Sequence, residues 1–164
     1  MTRTLILLRH GKSAYPDDVD DRDRPLSPRG RREAGLAGRW IRANLPPVDA
    51  VLCSPATRTR KTLAEAAVEA PVDYLESLYG ADPDTLVAAI RAVPDDVHTL
   101  LVVGHEPTLS ATALGLITDH GNDAAHQVAE KFPTSAVAVL TVPGSWSELA
   151  PRSGAELVGF HIAR

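Results

Sequence analysis

Apolar residues fall into two patterns along this chain: short unbroken runs, and longer stretches in which they recur every three or four positions. Unbroken runs stand at Thr4–Leu8, Ala50–Cys53 and Leu100–Val103, as expected of strands covered on both faces. Each leads into a segment with helical patterning, and such alternation predicts an α/β fold with three αβα layers around a parallel sheet. Ser27-Pro28 reads as a helix start, Ser27 capping the end and Pro28 occupying the first helical position. That helix should carry Ala34, Ala37, Trp40 and Ile41 toward the core and stop at Pro46-Pro47. Ser54-Pro55 repeats the start signal ahead of a helix through about Glu69. Leu86, Val87, Ile90 and Val93 form one apolar face between Pro83 and Val93, and Pro107 opens a helix that packs Leu109, Ala113, Leu116 and Ile117 inward. Strand character returns at Ala136–Val142 and Leu157–Ile162. These two fit an antiparallel pair at a sheet edge, which makes the sheet mixed but mostly parallel, although the sequence leaves their direction open.

The chain has 164 residues, a length that suits one domain spanning 1–164. A net charge of −4, with basic residues scattered, gives no reason to expect a nucleic-acid partner. Cys53 is the only cysteine, so neither an internal disulfide nor a cysteine zinc cluster can form. The N-terminal apolar run is too short for a secretory or membrane-spanning segment, so a cytoplasmic location with no membrane partner is the expectation. The stretch from Pro16 to Pro28 is polar and acidic and reads as a loop.

The chemistry concentrates at three strand-to-helix junctions: Arg9-His10-Gly11-Lys12, Ser54-Pro55-Ala56-Thr57-Arg58-Thr59 and Gly104-His105-Glu106-Pro107. Ligands of open α/β sheets gather outside the carboxyl ends of parallel strands, so two histidines and two arginines should converge there. Arginine offers bidentate donation to phosphate oxygens, and a helix N-terminus adds N–H groups and a favourable dipole. A neutral imidazole can attack phosphorus, which divides hydrolysis into two easier steps. His10, at a rigid strand end, is the candidate nucleophile. His105, protonated or donating a hydrogen bond, is the candidate to stabilise oxygen charge together with Arg9 and Arg58. Neither metal nor cofactor is called for. Taken singly, each site has a plainer reading: a turn with positive φ at Gly11, a solvated Arg58, a capping His105. Their common strand end favours catalysis. His98, His120, His126 and His161 lack ligand spacing and are expected to be structural or exposed.

Four motifs in order, Leu7-Leu8-Arg9-His10-Gly11-Lys12-Ser13, Arg24-Pro25-Leu26-Ser27-Pro28-Arg29-Gly30, Ser54-Pro55-Ala56-Thr57-Arg58-Thr59 and Val103-Gly104-His105-Glu106-Pro107, resemble the histidine phosphatase superfamily with its phosphoglycerate mutase-like fold. Its signature is an Arg-His-Gly at the end of the first strand. The short length, the Asp23-Arg24-Pro25-Leu26 approach and the Phe132-Pro133-Thr134-Ser135-Ala136 segment look like its SixA-type phosphohistidine phosphatases.

The resemblance implies that Arg9, His10, Arg58 and His105 form a phosphate or oxyanion pocket, with Gly11 and Glu106 among the residues that meet substrate. It also implies that Arg24 reaches the rim to hold phosphate or an incoming phosphoprotein; the alternative is a salt bridge with Asp20, Asp21 or Asp23. Larger members carry a helical insertion for which this chain has little room, so the pocket should be open and shallow. They also take a general acid from that region, for which Glu76, Asp82 and Glu106 are equal candidates here. A phosphorylated imidazole can leave as neutral imidazole, whereas an alkoxide needs a proton. A phosphohistidine-bearing protein is therefore the favoured substrate and partner. The alternatives are a small phosphoester, such as a nucleotide or phosphorylated metabolite, and a phosphoprotein-binding module without turnover. A mutase is disfavoured by the missing insertion.

Overall fold

Every side chain of Leu5-Ile6-Leu7-Leu8 is fully buried, and the reason is the position of this strand inside the sheet. The computed structural model describes residues 2–164. Strand β1 (Thr2–Arg9) runs between β4 (Thr99–Gly104) and β5 (Val137–Pro143) in a six-stranded sheet. Outward from β4 lie β2 (Ala50–Cys53) and then β3 (Val72–Tyr74), and β6 (Glu156–His161) flanks β5. The strands β1, β4, β2 and β3 are mutually parallel; β5 runs antiparallel to β1, and β6 antiparallel to β5. The mixed sheet with an antiparallel edge is thus as expected, and the directions that the sequence left open are settled.

Alternation along β1 divides its side chains between two cores. Leu5 and Leu7 join a cluster with α3 (Pro83–Arg91), α4 (Thr108–Leu116) and α5 (Asp123–Glu130), through residues such as Leu86, Ile90, Leu109, Leu116 and Val128. Ile6 and Leu8 join another with α1 (Pro28–Asn44) and α2 (Thr57–Ala66), through Ala37, Ile41, Leu63 and Ala66. The period of two in a strand is what makes this three-layer arrangement possible.

Helix α1 begins as expected, with Ser27 Oγ accepting from Gly30 N at 3.0 Å and Pro28 at the start. Ala34, Ala37 and Ile41 are buried. Trp40 is only partly so, and its ring stacks on His161 at 4.6 Å between centroids and 4° between planes. Two elements carry no clear periodic signal and escape the sequence reading. Edge strand β3 is three residues long, and α5 is a two-turn helix capped by Asn122.

One close approach sets the packing of α1 on α2. A Cβ built on Gly38 would lie 2.0 Å from the Ala66 carbonyl oxygen and 2.4 Å from its Cα. Gly38→Ala should therefore destabilise the fold by about 1–2 kcal/mol: the backbone must separate, a cost of overpacking that exceeds the gain in helix propensity. The midpoint of denaturant unfolding checks this, and a variant as stable as wild type would show that the helices separate freely.

Candidate active site

The register of the parallel strands decides which residues meet. Arg9 pairs with Gly104 and Cys53 with Val103, so β1, β4 and β2 end level. The His10 amide then donates to Gly104 O at 3.0 Å and the Ser54 amide to Val103 O at 3.1 Å. All three junctions singled out in the sequence open on this edge. The rings of His10 and His105 lie 5.3 Å apart between centroids. Arg9, His10, Lys12, Ser13, Tyr15, Arg24, Arg58 and Thr134 line an open cleft of about 280 Å³. Four of these side chains are cationic.

His10 is held tightly. It is 8% exposed, and its Nδ1 lies 2.7 Å from the Gly11 carbonyl oxygen. A carbonyl only accepts, so Nδ1 carries the hydrogen and Nε2 of the neutral ring keeps its lone pair. Burial is the main reason that the His10 pKa falls from 6.5 to about 3; His105, Arg9 and Arg58 lower it further, against the Gly11 hydrogen bond. Burial, with Arg58 and Arg9, likewise brings His105 down to about 4, against the pull of Asp21. Both rings are neutral at ordinary pH.

The backbone beneath these groups comes from the segment before β5. Arg9 Nη1 donates to Phe132 O at 2.9 Å. Ser135, at φ 60°, donates its amide to both Arg9 O (3.2 Å) and His10 O (3.1 Å). A fully buried residue in this left-handed conformation stores backbone strain next to the candidate nucleophile.

Several expectations are corrected. Gly11 has no positive φ among the described residues. Glycine is needed there because a Cβ would come within 2.8 Å of Gly30 O and 3.2 Å of Ser135 Oγ. Nor is its amide free for substrate, since it donates to Thr62 Oγ1 at 2.8 Å. Ser54 does not cap α2: the N-cap is Ala56, with no side-chain bond, and the helix ends at Ala66 rather than near Glu69. Ser54 Oγ instead lies 2.8 Å from His105 Nε2.

Of the three candidate acids, Glu76 is ion-paired with Arg22 in solvent. Asp82 accepts from Thr85 N at 2.8 Å as the cap of α3. These bonds hold both carboxyls below their usual range. Glu106 accepts from Ser110 N and Ser110 Oγ, each at 2.7 Å. It lies close enough to Arg9 to oppose the lowering of that guanidinium's pKa by burial. None of the three lines the cleft.

Arg24 reaches the cleft and makes the loop salt bridge at once. It lines the cleft and also pairs with Asp21 Oδ1 at 2.8 Å. It bonds Ser13 Oγ as well, and its guanidinium sits 3.8 Å from the centre of the Tyr15 ring. Tyr15, Thr62 and Tyr79 stand beside these candidate residues without having been singled out in the sequence, and Asp21 and Ser54 were singled out only as a salt-bridge partner and a helix cap. Tyr79 lies edge-on to His105 at 5.9 Å. No group of three metal-ligating side chains occurs among the described residues, and no helix among them is long and apolar enough to cross a membrane.

Comparison with known proteins agrees with this geometry. The family model of the histidine phosphatase superfamily (branch 1) matches residues 5–82. The uncharacterized protein Rv1276c of Mycobacterium tuberculosis (strain ATCC 25618 / H37Rv) is 60% identical over 159 residues, covering 96% of this chain and 100% of that protein. A structure provisionally named phosphohistidine phosphatase SixA, from Nakamurella multipartitia, superposes with a TM-score of 0.92 at 42% identity, covering 99% of this chain and 97% of that one. Phosphohistidine phosphatase SixA of Escherichia coli (strain K12) is 27% identical over 147 residues, 86% of each chain. The chain belongs to the histidine phosphatase superfamily and has the SixA-type fold. By this membership it is a phosphatase.

The neutral histidines give the fold an acid sensitivity of defined sign. Their folded pKa values lie below the ordinary value of 6.5, so the unfolded chain binds more protons in between. The stability they contribute is complete above about pH 6.5 and falls away as pH drops toward 4 and then 3. Unfolding midpoints at pH 7.5 and 5.0 should therefore differ less in His10→Gln than in wild type. Equal differences would mean that His10 titrates normally in the folded protein.

Proposed function

We propose that this protein removes phosphate from phosphohistidine in a signalling or phosphotransfer protein, through a covalent phosphohistidine on its own His10. The observation that carries this reading is the state of His10. It is neutral, with Nδ1 committed to Gly11 O, and it lines an open cleft with Arg9, Arg24 and Arg58.

In the first step the lone pair of His10 Nε2 forms a bond to phosphorus. The substrate's P–N bond breaks, and its electron pair leaves with the imidazole. Water then attacks phospho-His10, the new P–N bond breaks, and phosphate departs with the lone pair returned to Nε2; the surplus proton passes to phosphate or solvent. Arg9, Arg58 and the His105 ring, the last as a hydrogen-bond donor, stabilise charge on the equatorial oxygens. No metal is required for either step.

Substrate class follows from the acids. Glu76, Asp82 and Glu106 are each bound to other groups, and an alkoxide leaving group without a proton donor loses about two to four orders of magnitude in rate. Imidazole protonated on its other nitrogen leaves neutral and needs no such donor. The open cleft also suits a side chain presented from a protein surface. The names of the SixA proteins similar to this chain support the same substrate. A small phosphoester is the second reading, kept by Glu106, whose carboxylate lies near Arg9.

Phosphate release from a phosphohistidine-bearing protein domain and from p-nitrophenyl phosphate, both in EDTA, tests the proposal. Wild type should prefer the phosphoprotein, and His10→Ala should lose at least about three orders of magnitude on both. Full activity in His10→Ala would overturn the covalent mechanism. Glu106→Gln should cost phosphohistidine hydrolysis less than about tenfold; a hundredfold loss confined to the ester would favour the small-phosphoester reading.

A further inference from the structure

The acidic loop ahead of α1 brings one carboxylate to the arginines of the cleft. Asp21 opens a single 3-10 turn (Asp21–Asp23). Its Oδ2 accepts from Arg58 Nη2 at 3.1 Å and from the Tyr79 hydroxyl at 2.5 Å, and its Oδ1 accepts from Arg24 Nη1 at 2.8 Å. Its backbone carbonyl takes Arg58 Nη1 at 2.8 Å. Both terminal nitrogens of Arg58 thus meet one aspartate that belongs to the protein itself. The donors come from α2, from the residue after the 3-10 turn Glu76–Leu78 and from the loop itself. Nothing in the proposed chemistry uses Asp21.

We propose that Asp21 is a specificity-determining residue: a built-in anion at the mouth of the cleft that moderates its affinity for oxyanions and turns away substrates with a second negative group beside the phosphate. The inference rests on the reading of the cleft as a phosphate site. The Tyr79 hydrogen bond, helped by Arg24 and Arg58, holds the Asp21 carboxyl down to about 2, so it is charged at any working pH. Four cations line the cleft, enough to bind a dianion tightly and to release product slowly. A fixed negative charge within several ångströms weakens that binding on the order of tenfold after solvent screening. The same charge acts again on any carboxylate or second phosphate of the substrate. An imidazole-borne phosphate has no second anion and escapes this penalty.

The alternative role is mechanical: Asp21 would only orient Arg58 and Arg24. Two variants separate charge from geometry. Asp21→Asn keeps one acceptor and the side chain's size but loses the charge, whereas Asp21→Glu keeps the charge and alters the geometry. Binding of inorganic phosphate is measured by calorimetry at low and physiological salt. Hydrolysis of p-nitrophenyl phosphate is compared with that of a phosphate monoester carrying a carboxylate.

In Asp21→Asn, phosphate should bind about tenfold more tightly with a steeper salt dependence, and the rate ratio should move about tenfold toward the carboxylate-bearing ester. Asp21→Glu should stay near wild type in both. Unchanged or weaker phosphate binding in Asp21→Asn, or a ratio that does not move, would overturn the proposal. Wild-type phosphate binding that is lost in Arg58→Ala supports the cleft itself independently. If wild type bound no phosphate at all, the reading of the cleft would fall, and this inference with it.

Discussion

A histidine attacks phosphorus only as the neutral ring, yet the group it attacks is an anion that needs positive charge around it. The arrangement about His10 meets both demands together. Burial chiefly, with smaller contributions from His105, Arg9 and Arg58, disfavours the imidazolium form, and the arginines are also the groups suited to hold the phosphoryl oxygens. The Gly11 carbonyl works against the depression, but it fixes the tautomer so that Nε2 is the nitrogen left with a lone pair. Increasing the positive charge of the cleft would not compromise the proposed nucleophile. It would hold the ring still more firmly in its reactive form.

The rest of the fold serves to keep that crowd of like charges in place. Cations packed together repel one another, and the three arginines of the cleft are each tied to a carbonyl or carboxylate that is itself fixed. Arg9 has the Phe132 carbonyl, from the segment that also donates the Ser135 amide beneath His10. Arg58 and Arg24 have Asp21. With no Cβ at Gly11, the turn after β1 packs against Gly30 and Ser135 where a larger residue would collide. Fixed polar groups of this kind cost nothing to reorganise at the moment of reaction, which is the physical basis of preorganised electrostatics.

How much of this was legible in the sequence depends on range. Strands buried on both faces announce themselves by unbroken apolar runs, and Ser27-Pro28 by local capping chemistry, so the layers and the three converging junctions could be read directly. Arg9, His10 and His105 could be singled out because they stand where strands end, and Arg58 because it falls in the first turn of the helix after β2. Strand β3 and helix α5 were missed because neither is long enough for a period to show. Ser54-Pro55 misled, since a cap signal says nothing of whether the serine hydroxyl has a better partner elsewhere, and here it lies against His105. Asp21 and Tyr79 are 58 residues apart and belong to segments with no regular pattern. Only the folded chain brings them together, and no spacing rule connects them.

The distribution of carboxylates bears most directly on substrate. Acidic side chains near a phosphate site can donate a proton, orient a cation or repel a second anion. The first role needs a carboxyl that is free of strong donors and has its pKa raised toward neutrality. Glu76, Asp82 and Asp21 lie in the opposite condition, each held down by hydrogen bonds from partners that favour the charged form. Glu106 has both oxygens on Ser110. Carboxylates so placed suit orientation and repulsion rather than proton delivery, which narrows the leaving groups to those stable without a proton. The phosphohistidine substrate proposed above meets this condition, because an imidazole protonated on its other nitrogen leaves neutral.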